Sequence, residues 1–588
     1  MKNRNSGIIS NQFFRLLPAQ MLIPAIASVI SIANGIIAGK FIEESAVGAV
    51  GLYAIMNRII EAVGTILLAG SAVMCGRSMG EGNLEKTRSL FSLNLFIAAV
   101  FGSVITLVNL TLAPVLAVAF GAVGNLVNLL AAYIRGMGVG VIPFMLAYQL
   151  VSFLQLERKS RLTYIASVVM LVSNVGLAYL FVGVLKMGIV GLAYATSAAN
   201  WLYLFILASY YLTKNSQLGF SFRSIKFKYL GEMFTVGLPG ALLYFTLAVQ
   251  NLVVFRVALR CGGESALSAL SSYLMSANIV LCYSLGCGNV VRNMASVSLG
   301  ERDRKSLHEL LDTVVKKAFP LSFVAIGVAL AVTAFFPGLF FDRGTLAYFY
   351  ARQIFIIVPL FIPVLLFVFS INGYLQAKEH KVYSSAASLF DGLLSINVPA
   401  MVLAPLFGTM GLWFAYPAGF VLDLLFALVY CCIYWKHIPR TRDELLFLRK
   451  GFIDIPEKDR LECDIRSIEE TVNMVEKIHT FCLEHGLDSS YTMHAELCLE
   501  EMVSNVILHG FTKDRKSHVV QVRAIYSDGA VVLRIKDDCV HFNPVERVQQ
   551  RNRSKDPLKN VGIKMVMKMA KEVTYQSLVG LNVLTIRL

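Results

Sequence analysis

The amino-acid sequence predicts a mostly α-helical membrane protein, with twelve transmembrane helices in two repeated six-helix lobes, followed by a C-terminal cytoplasmic α/β two-layer sandwich. Three observations support this fold class: long apolar segments fill the chain up to Trp435, the composition changes after residue 437, and the apolar part repeats internally. Only 15% of the residues are charged and 56% are hydrophobic, whereas soluble domains carry about 25% charged residues. This composition excludes an ordinary soluble protein.

Each apolar segment is long enough to cross a hydrocarbon core about 30 Å thick as an α-helix, which satisfies its own backbone hydrogen bonds. The basic N-terminal sequence MKNRNSGIISNQFFR precedes an apolar run that is too long for a signal-peptide core, so we interpret it as a cytoplasmic tail. The predicted spans are 16–39, 47–74, 90–120, 126–155, 162–185, 188–212, 230–258, 266–290, 316–337, 345–376, 382–405 and 409–435.

The lysines and arginines lie mostly in the segments that follow even-numbered helices, and fewer follow odd-numbered ones. The positive-inside rule therefore predicts a multi-pass protein of the inner (cytoplasmic) membrane with both termini in the cytoplasm. Because the formal charge of +15 is explained largely by these segments, we expect no nucleic-acid partner. The ten cysteines show no CxxC and no paired spacing, and we expect reduced thiols.

An internal repeat relates the two halves of the apolar part. The tetrapeptide ESAV from Glu44 returns as ESAL from Glu264, 220 positions later. SMGE from Ser78 returns as SLGE from Ser298 at the same distance, which isolated chance matches would not share. The same offset relates Gly188 and Gly191 to Gly408 and Gly411.

Two lobes of six helices enter the membrane from the same side, because six is an even number of crossings. We therefore assign residues 1–220 to an N-terminal lobe and residues 221–437 to a C-terminal lobe. Parallel two-lobe repeats are typical of alternating-access transporters, whose substrate cavity lies between the lobes.

The motifs of the apolar part resemble those of the MATE (multidrug and toxic compound extrusion) transporters. They are G-x-x-x-x-x-S-A-V-G-A-V-G-L from Gly39, RSMGEGNLEKTR from Arg77 and MGIVGLAYATSAANW from Met187. The resemblance covers about residues 12–435 and implies export of cationic, amphiphilic small molecules in exchange for sodium ions or protons. A flippase for a lipid-linked oligosaccharide, from the same broader superfamily, is the neighbouring alternative.

Polar side chains inside the predicted spans are candidates for the transport cavity, because a charge at mid-bilayer costs roughly 3 kcal/mol or more. Either Glu61 or Asp391 could bind the coupling cation or a positive substrate. Alternatively, Glu61 forms a structural pair with Arg58, three residues away, and Asp423 stabilises a contact between helices. The complete set of candidates is Asn34, Arg58, Glu61, Gln250, Asn278 and Asp391.

The first helix departs from the resembled pattern. Many bacterial MATE proteins have a motif similar to V-D-x-x-x-x-G there, whereas this chain reads ANGIIAG, with Asn34 in place of the acid. Because an asparagine cannot release a proton, either another carboxylate carries the coupling or neutral oxygens hold the ion.

A basic linker, 438–452, is expected to lie along anionic membrane lipid, or else to extend the last helix, before a domain at 453–588. The domain pattern predicts alternating strands that form one sheet, with helices on one of its faces. The predicted elements are a strand at 460–465, helices at 467–485 and 489–510, strands at 519–526 and 530–536, a helix at 561–572 and a strand pair turning near Gly580.

Three features of this domain occur in an order that resembles GHKL ATP-binding domains, specifically the anti-sigma-factor serine kinases. Glu501, Asn505 and His509 share a helical face. Asp537 ends a strand, and Gly562 starts a helix, where backbone N–H groups favour phosphate.

The resemblance implies a role for each matching residue, with ATP and magnesium as cofactors. Glu501 would be catalytic and polarise the attacking hydroxyl or water, and Asn505 would hold Mg²⁺. Asp537 would bind the adenine amino group, Gly562 would let the backbone approach the phosphates, and Lys559 could meet a phosphate.

The glycine boxes of this domain depart from the resembled family. The usual D-x-G-x-G reads Asp537-Asp538-Cys539-Val540-His541 here, and only Gly562 remains of the second box. The sequence therefore leaves three outcomes open: nucleotide binding alone, phosphate transfer to a protein serine, or a degenerate domain that docks a cytoplasmic protein partner.

These observations support three functions. The favoured one is multidrug or organic-cation efflux by secondary antiport, regulated by a nucleotide-binding domain. The alternatives are a membrane-tethered serine-kinase-like switch with a sensor transporter domain, and the flippase. The sequence contains no G-x-x-x-x-G-K-[ST] motif, so we do not expect primary ATP-driven pumping.

Overall fold

The computed structural model divides the chain into two compact units. The helical unit comprises Ala19–Asn289 and Ala318–Lys436, and the C-terminal unit comprises Met1–Pro18, Val290–Lys317 and His437–Leu588. The residues that the structure describes are 8–80, 84–156, 160–212, 218–300, 303–378, 380–448, 456–511, 518–527, 529–539, 544, 561–578 and 581–588.

Long apolar helices make up the chain from Ile8 to Trp435. Their bounds are α1 Ile8–Phe41, α2 Glu44–Gly80, α3 Leu84–Thr111, α4 Ala113–Ala119, α5 Asn125–Gly138, α6 Val141–Leu156, α7 Ser160–Ala178, α8 Gly188–Ser209, α9 Leu230–Val280, α10 Cys282–Gly300, α11 Arg304–Thr313, α12 Phe319–Thr333, α13 Phe336–Phe340, α14 Leu346–Ile357, α15 Ile362–Ala377, α16 Lys381–Phe390 and α17 Asn397–Trp435. Wider π-helical turns occupy Tyr179–Val184, Val314–Ala318 and Asp391–Ser395.

Eight helical stretches within the described residues are long and apolar enough to span a membrane, or nine if the bent pair Asn125–Gly138 and Val141–Val151 is one span. The stretches Ala241–Val280 and Val382–Trp435 contain 40 and 54 residues, against about 20 for one crossing. Because non-helical breaks interrupt these two stretches at Gly263 and Gly408, the number of stretches does not equal the number of membrane crossings. The multi-pass architecture is confirmed, and the predicted number of twelve is not fully confirmed.

The 220-residue repeat is visible in the backbone. Gly188 and Gly408, which the repeat relates, adopt φ values of 59° and 61°, a left-handed conformation that glycine adopts without strain. A β-carbon at Gly48 would lie 3.1 Å from Oγ of Ser268, its own counterpart in the other lobe. Positions that the repeat relates therefore meet between α2 and α9.

The C-terminal unit contains one antiparallel five-stranded sheet in the order β1-β2-β3-β5-β4. Its strands are β1 Arg460–Ile465, β2 Val520–Ser527, β3 Ala530–Asp537, β4 Glu572–Leu578 and β5 Leu581–Arg587. Its helices are α18 Arg442–Leu445, α19 Ile468–Glu484, α20 Ser489–Asn505 and α21 Val561–Met569, with a π-helical turn at Val506–Gly510.

One face of this sheet packs against the helices, as the alternating pattern predicts. Val522 of β2 and Leu533 of β3 lie in one buried cluster with Ile478 of α19, Leu499 of α20 and Val566 of α21. The two-layer α/β sandwich is therefore confirmed. The C-terminal unit also includes Met1–Pro18 and Val290–Lys317, which the sequence did not predict.

Candidate functional site

The predicted Glu501 and Asn505 lie one turn apart on α20 and contact each other directly. Asn505 Nδ2 donates a hydrogen bond of 2.6 Å to Glu501 Oε1. The opposite side of α20 is apolar and buried, including Leu499 and Val503, so amphipathic packing turns the pair away from the core. His509, predicted on the same face, lies in the wider turn Val506–Gly510 and is exposed.

Gly562 packs against the Glu501 carboxylate. A β-carbon at position 562 would overlap the carboxylate atoms of Glu501, so only glycine allows this approach of α21 to α20. Gly562 is the second residue of α21, where backbone N–H groups have no partner within the helix. The structure thus brings Glu501, Asn505 and Gly562 together, while Lys559, the predicted phosphate contact, lies outside the described residues.

Asp537 is buried at the end of β3 and is held in place by two donors. Its Oδ1 accepts hydrogen bonds from Asn582 Nδ2 at 2.8 Å and from the Cys539 amide at 2.9 Å. Tyr575 donates to Asn582 Oδ1 at 2.8 Å, which fixes the amide. Burial raises the pKa of Asp537 above its usual range, and the hydrogen bonds from Asn582 and Cys539 oppose that shift.

The ends of the β2–β3 hairpin are joined beside Asp537. His518 Nδ1 lies 2.9 Å from Asp538 Oδ1, and the donor atoms of His518, Asp538 and Cys539 all lie within 4.8 Å of one another. These contacts fix the segment that carries Asp537.

The described residues fit a nucleotide with its magnesium ion. Mg²⁺ prefers oxygen ligands, and because Asn505 Nδ2 is engaged by Glu501, Asn505 Oδ1 points away from that bond and can act as a ligand. A buried, oriented carboxylate at Asp537 suits the exocyclic amino group of adenine. The sequence missed Asn582 and Tyr575, although a polar Asn582 among the apolar positions of its strand was a usable signal.

Asn34 lies in a buried polar cluster of the helical unit. Both Asn34 Nδ2 and Asn174 Nδ2 donate to Thr196 Oγ1, at 3.2 and 3.0 Å. Neither Asn34 Oδ1 nor Asn174 Oδ1 has a hydrogen-bond partner within the described part of the chain. An unsatisfied buried polar atom costs about 1–3 kcal/mol, so both amide oxygens carry such a cost in this cluster.

A second polar group surrounds the π-helical turn Asp391–Ser395. Gln250 Nε2 donates to the Asp391 carbonyl oxygen at 2.9 Å, and Ser395 Oγ donates to Asp423 Oδ2 at 3.0 Å. A β-carbon at Gly392 would overlap Thr246, so α9 packs closely on this turn. Single π-helical turns are frequent at functional sites.

Arg58 and Glu61 form the ion pair that their spacing suggests, with Arg58 Nη1 2.7 Å from Glu61 Oε2. Asn278 is exposed, and the structure does not bring it to either polar cluster. Sequence reasoning also missed Thr196 and Asn174. Thr196 lies inside the motif MGIVGLAYATSAANW, where a threonine among apolar residues was a usable signal.

Two family profiles match the chain. The MatE profile matches residues 21–180 and 239–402, which together exceed half of the chain. The profile of a histidine kinase-like ATPase domain matches residues 467–588. A comparison with curated proteins finds no match.

Two solved structures of similar fold are transporters. The chain is 19% identical to a multidrug resistance MATE family transporter of the MOP superfamily in an inward-facing conformation, with a TM-score of 0.65, covering 70% of this chain and 97% of that one. It is 20% identical to a MOP superfamily transporter from Pyrococcus furiosus, with a TM-score of 0.57, covering 74% and 97%. That protein is described as having a binding pocket of reverse polarity that suggests a different function.

Proposed function

Because the chain belongs to the MatE family, we propose that it exports cationic or amphiphilic small molecules by secondary antiport, regulated by its C-terminal nucleotide-binding domain. The observation that carries the antiport claim is the cluster of Asn34, Asn174 and Thr196 with its two unpartnered amide oxygens. The charge of the loops supports an inner-membrane location with both termini in the cytoplasm.

Sodium is the coupling ion that this cluster favours. Amide and hydroxyl oxygens are neutral hard ligands, and the backbone carbonyls that bind Na⁺ in transporters with broken helices are neutral oxygens as well. A proton would need a group that titrates, and neither an asparagine nor a threonine does. Sodium binding would satisfy Asn34 Oδ1 and Asn174 Oδ1, which otherwise remain unpaired at a cost in free energy.

Proton coupling through Asp391 is the second candidate. Gln250 donates to the backbone carbonyl of Asp391 in the π-helical turn, and Ser395 of the same turn donates to Asp423 on the next helix. An acid inside a membrane helix is a functional-site hypothesis by default. Sodium-independent export driven by a pH gradient would favour this alternative.

The nucleotide site would act through residues already in contact. When bound, Mg²⁺–ATP supplies a transferable phosphoryl group and a large local charge. Asp537, held by Asn582, would accept a hydrogen bond from the adenine amino group, while Asn505 ligates the ion. Glu501, fixed between Asn505 and Gly562, would accept a proton from an attacking hydroxyl.

A membrane-tethered serine-kinase-like switch remains the alternative for this domain. The observation that favours it is the Glu501–Asn505 pair beside Gly562, since a domain that only sensed nucleotide would not need a positioned general base. Transfer of labelled γ-phosphate to a cytoplasmic protein, lost in Glu501→Ala, would support the switch. The flippase alternative predicts translocation of a lipid-linked oligosaccharide without sodium.

One assay tests the proposed function as a whole. Cells that express the full chain, Glu501→Ala or an empty vector are loaded with a fluorescent cation, and its retention is measured with and without external sodium. We expect sodium-dependent export by the full chain and altered but measurable export by Glu501→Ala. Equal retention in all three strains would refute export, and failure of ATP to raise the melting temperature of the full chain would refute nucleotide binding.

A further inference from the structure

The second face of the C-terminal sheet is charged and yet buried. Apolar residues of β2 and β3 face the helices, so the alternating residues Arg523 and Lys536 lie on the opposite face. Such a face of an antiparallel sheet is normally solvated. Here Arg523 and Lys536 are only 9% and 3% exposed, because a segment from between two apolar helices covers them.

Asp303, the residue that precedes α11, is the centre of this contact and is 2% exposed. Arg523 Nη2 lies 2.6 Å from Asp303 Oδ1, and Lys536 Nζ lies 3.3 Å from Asp303 Oδ2. The same carboxylate caps α11 by accepting from the Ser306 amide at 3.0 Å. One side chain therefore joins the start of α11 to two strands of the sheet.

Further ion pairs hold α11 against the same unit. Arg304 pairs with Asp443, and His308 Nε2 lies 2.7 Å from the Asp443 carboxylate. Arg442 lies 3.1 Å from Asp312 at the other end of α11. These outer pairs are partly exposed, whereas the three residues of the Asp303 cluster are buried. Buried charges tolerate loss of a partner far less than exposed ones do.

Strand β3 connects this cluster to the nucleotide site. Adjacent residues of a strand point to opposite faces, so Lys536 reaches Asp303 on one face while Asp537 meets Asn582 on the other. After Thr313 the chain continues through the π-helical turn Val314–Ala318 into the apolar helix α12. The segment that binds Lys536 is therefore covalently continuous with a predicted transmembrane helix.

We propose that the cluster of Asp303, Arg523 and Lys536 is the link through which the C-terminal domain and the transport helices influence each other. Docking of Asp303 fixes Lys536 at the end of β3 and so holds the neighbouring Asp537 in position for its ligand. By linkage, a ligand at Asp537 stabilises the docked segment Arg304–Thr313 by the same factor. The identity of that ligand as a nucleotide rests on the proposed function.

The test uses the full chain in lipid nanodiscs and the variant Asp303→Asn. Asparagine is as good a helix cap as aspartate, so this change removes the charge while it keeps the cap and the size. Asp312→Asn is the matched control, because Asp312 lies on the same helix and pairs with the half-exposed Lys316 and Arg442. The readouts are the Kd for ATP, amide exchange of Arg304–Thr313 with and without ATP, and the export rate.

We expect Asp303→Asn to raise the Kd for ATP and to lower the export rate, each by about fivefold or more. In the control Asp312→Asn, the Kd and the export rate should both stay within about twofold of the wild type. ATP should slow exchange in Arg304–Thr313 of the wild type, and Asp303→Asn should abolish that effect. A Kd and an exchange pattern in Asp303→Asn that match the wild type would overturn the link.

Failure of the proposed function gives a different result. If the wild type binds no ATP, the proposed nucleotide regulation is wrong. The link is then tested by the export rate alone: a lower rate in Asp303→Asn than in Asp312→Asn supports it, and equal rates overturn it. If the wild type exports nothing, the ATP and exchange readouts decide it. Should Asp303→Asn lose its monodisperse elution, Lys536→Met takes its place, because it removes one partner and leaves the cap of α11 intact.

Discussion

Gly562 lies so close to Glu501 that a β-carbon at position 562 would overlap the Glu501 carboxylate. This contact joins two features that are 61 positions apart in the sequence and that the GHKL resemblance treats as separate motifs. It gives a steric reason for glycine at position 562. Any side chain at position 562 would displace Glu501, the proposed general base.

Gly562→Ala should destabilise the C-terminal domain by about 1–3 kcal/mol, the usual cost of forcing an extra methyl group into a packed contact. It should also remove the rise in melting temperature that ATP gives, because Glu501 and Asn505 move. Differential scanning fluorimetry of the full chain with and without Mg²⁺–ATP measures both. Val561→Ala is the control, because Val561 is the exposed residue that precedes Gly562. If ATP raised the melting temperature of Gly562→Ala as much as that of the wild type, the proposed role of this contact would be wrong.

ATP affinity should decrease in acid because of Asp537. Burial raises the pKa of this carboxyl despite the hydrogen bonds from Asn582 and Cys539, so it becomes protonated at a higher pH than an ordinary aspartate near 3.9. The ionised form is the better acceptor for an adenine amino group, and affinity is therefore full at neutral pH and lost as pH falls through the raised pKa. Calorimetric titration across pH measures this loss.

Asp537→Asn separates the charge of Asp537 from its shape. This variant should bind ATP more weakly, by about 1 kcal/mol or more for one charge-assisted hydrogen bond. Its affinity should no longer change between neutral and acidic pH. An unchanged acid dependence in Asp537→Asn would assign the titration to another group.

Several parts of this site follow from the sequence alone. The spacing of Glu501 and Asn505 is a local helical property, and Asp537 is marked by the end of an alternating strand. Asn582 was not predicted, because its contact with Asp537 depends on the pairing of β3 with β5, and single-chain patterns do not determine long-range register. The helix predicted over 489–510 was correct up to Asn505, after which the chain forms a π-helical turn that contains the exposed His509.

The membrane part shows the same division between local and long-range information. The repeat predicted that Gly188 and Gly408 are equivalent, and their nearly equal φ angles agree. Asn34 was recognised by its place in a motif, but its contact with Thr196 joins positions 162 apart. Asp303 was missed altogether, since its partners Arg523 and Lys536 lie more than 200 positions away.

The docking of Asp303 should resist changes of pH near neutrality. Burial alone would raise the pKa of Asp303, but Lys536, Arg523 and the bonds from Ser306 outweigh burial and hold the pKa well below its usual range. A lowered pKa contributes stability that is complete above the unfolded value near 4 and is lost only as pH falls below it. Amide exchange of Arg304–Thr313, corrected for intrinsic rates, should stay constant from about pH 5 to 8 and rise below about pH 4.

Asp303→Leu, which removes both the charge and the cap, should destabilise the C-terminal unit by about 3–5 kcal/mol, the typical cost of breaking a buried ion pair. Amide exchange of strands β1 to β5 in the full chain measures the loss, because the three tryptophans lie in the helical unit and do not report on this one. The control Asp312→Leu should lower the free energy of unfolding by less than about 1 kcal/mol, because exposed ion pairs contribute little to stability. Similar losses for the two variants would mean that the buried cluster stabilises no more than a surface pair.

Asn34→Leu should abolish the sodium dependence of export, because it removes one of the two buried amide oxygens beside Thr196. The matched comparison is Asp391→Asn, which leaves that cluster intact and should keep sodium dependence. Initial export rates at graded sodium concentrations distinguish the two variants. If Asp391→Asn lost coupling while Asn34→Leu kept it, the coupling ion would be bound at the π-helical turn instead.

Gradient-driven transport by the purified full chain tests the central claim most directly. Proteoliposomes loaded with a fluorescent cation receive an imposed sodium gradient, first without nucleotide and then with Mg²⁺–ATP on the face of the C-terminal domain. We expect the gradient alone to drive transport and ATP to change the transport rate. Transport that requires ATP hydrolysis in the absence of any ion gradient, or no transport with any imposed gradient, would contradict it.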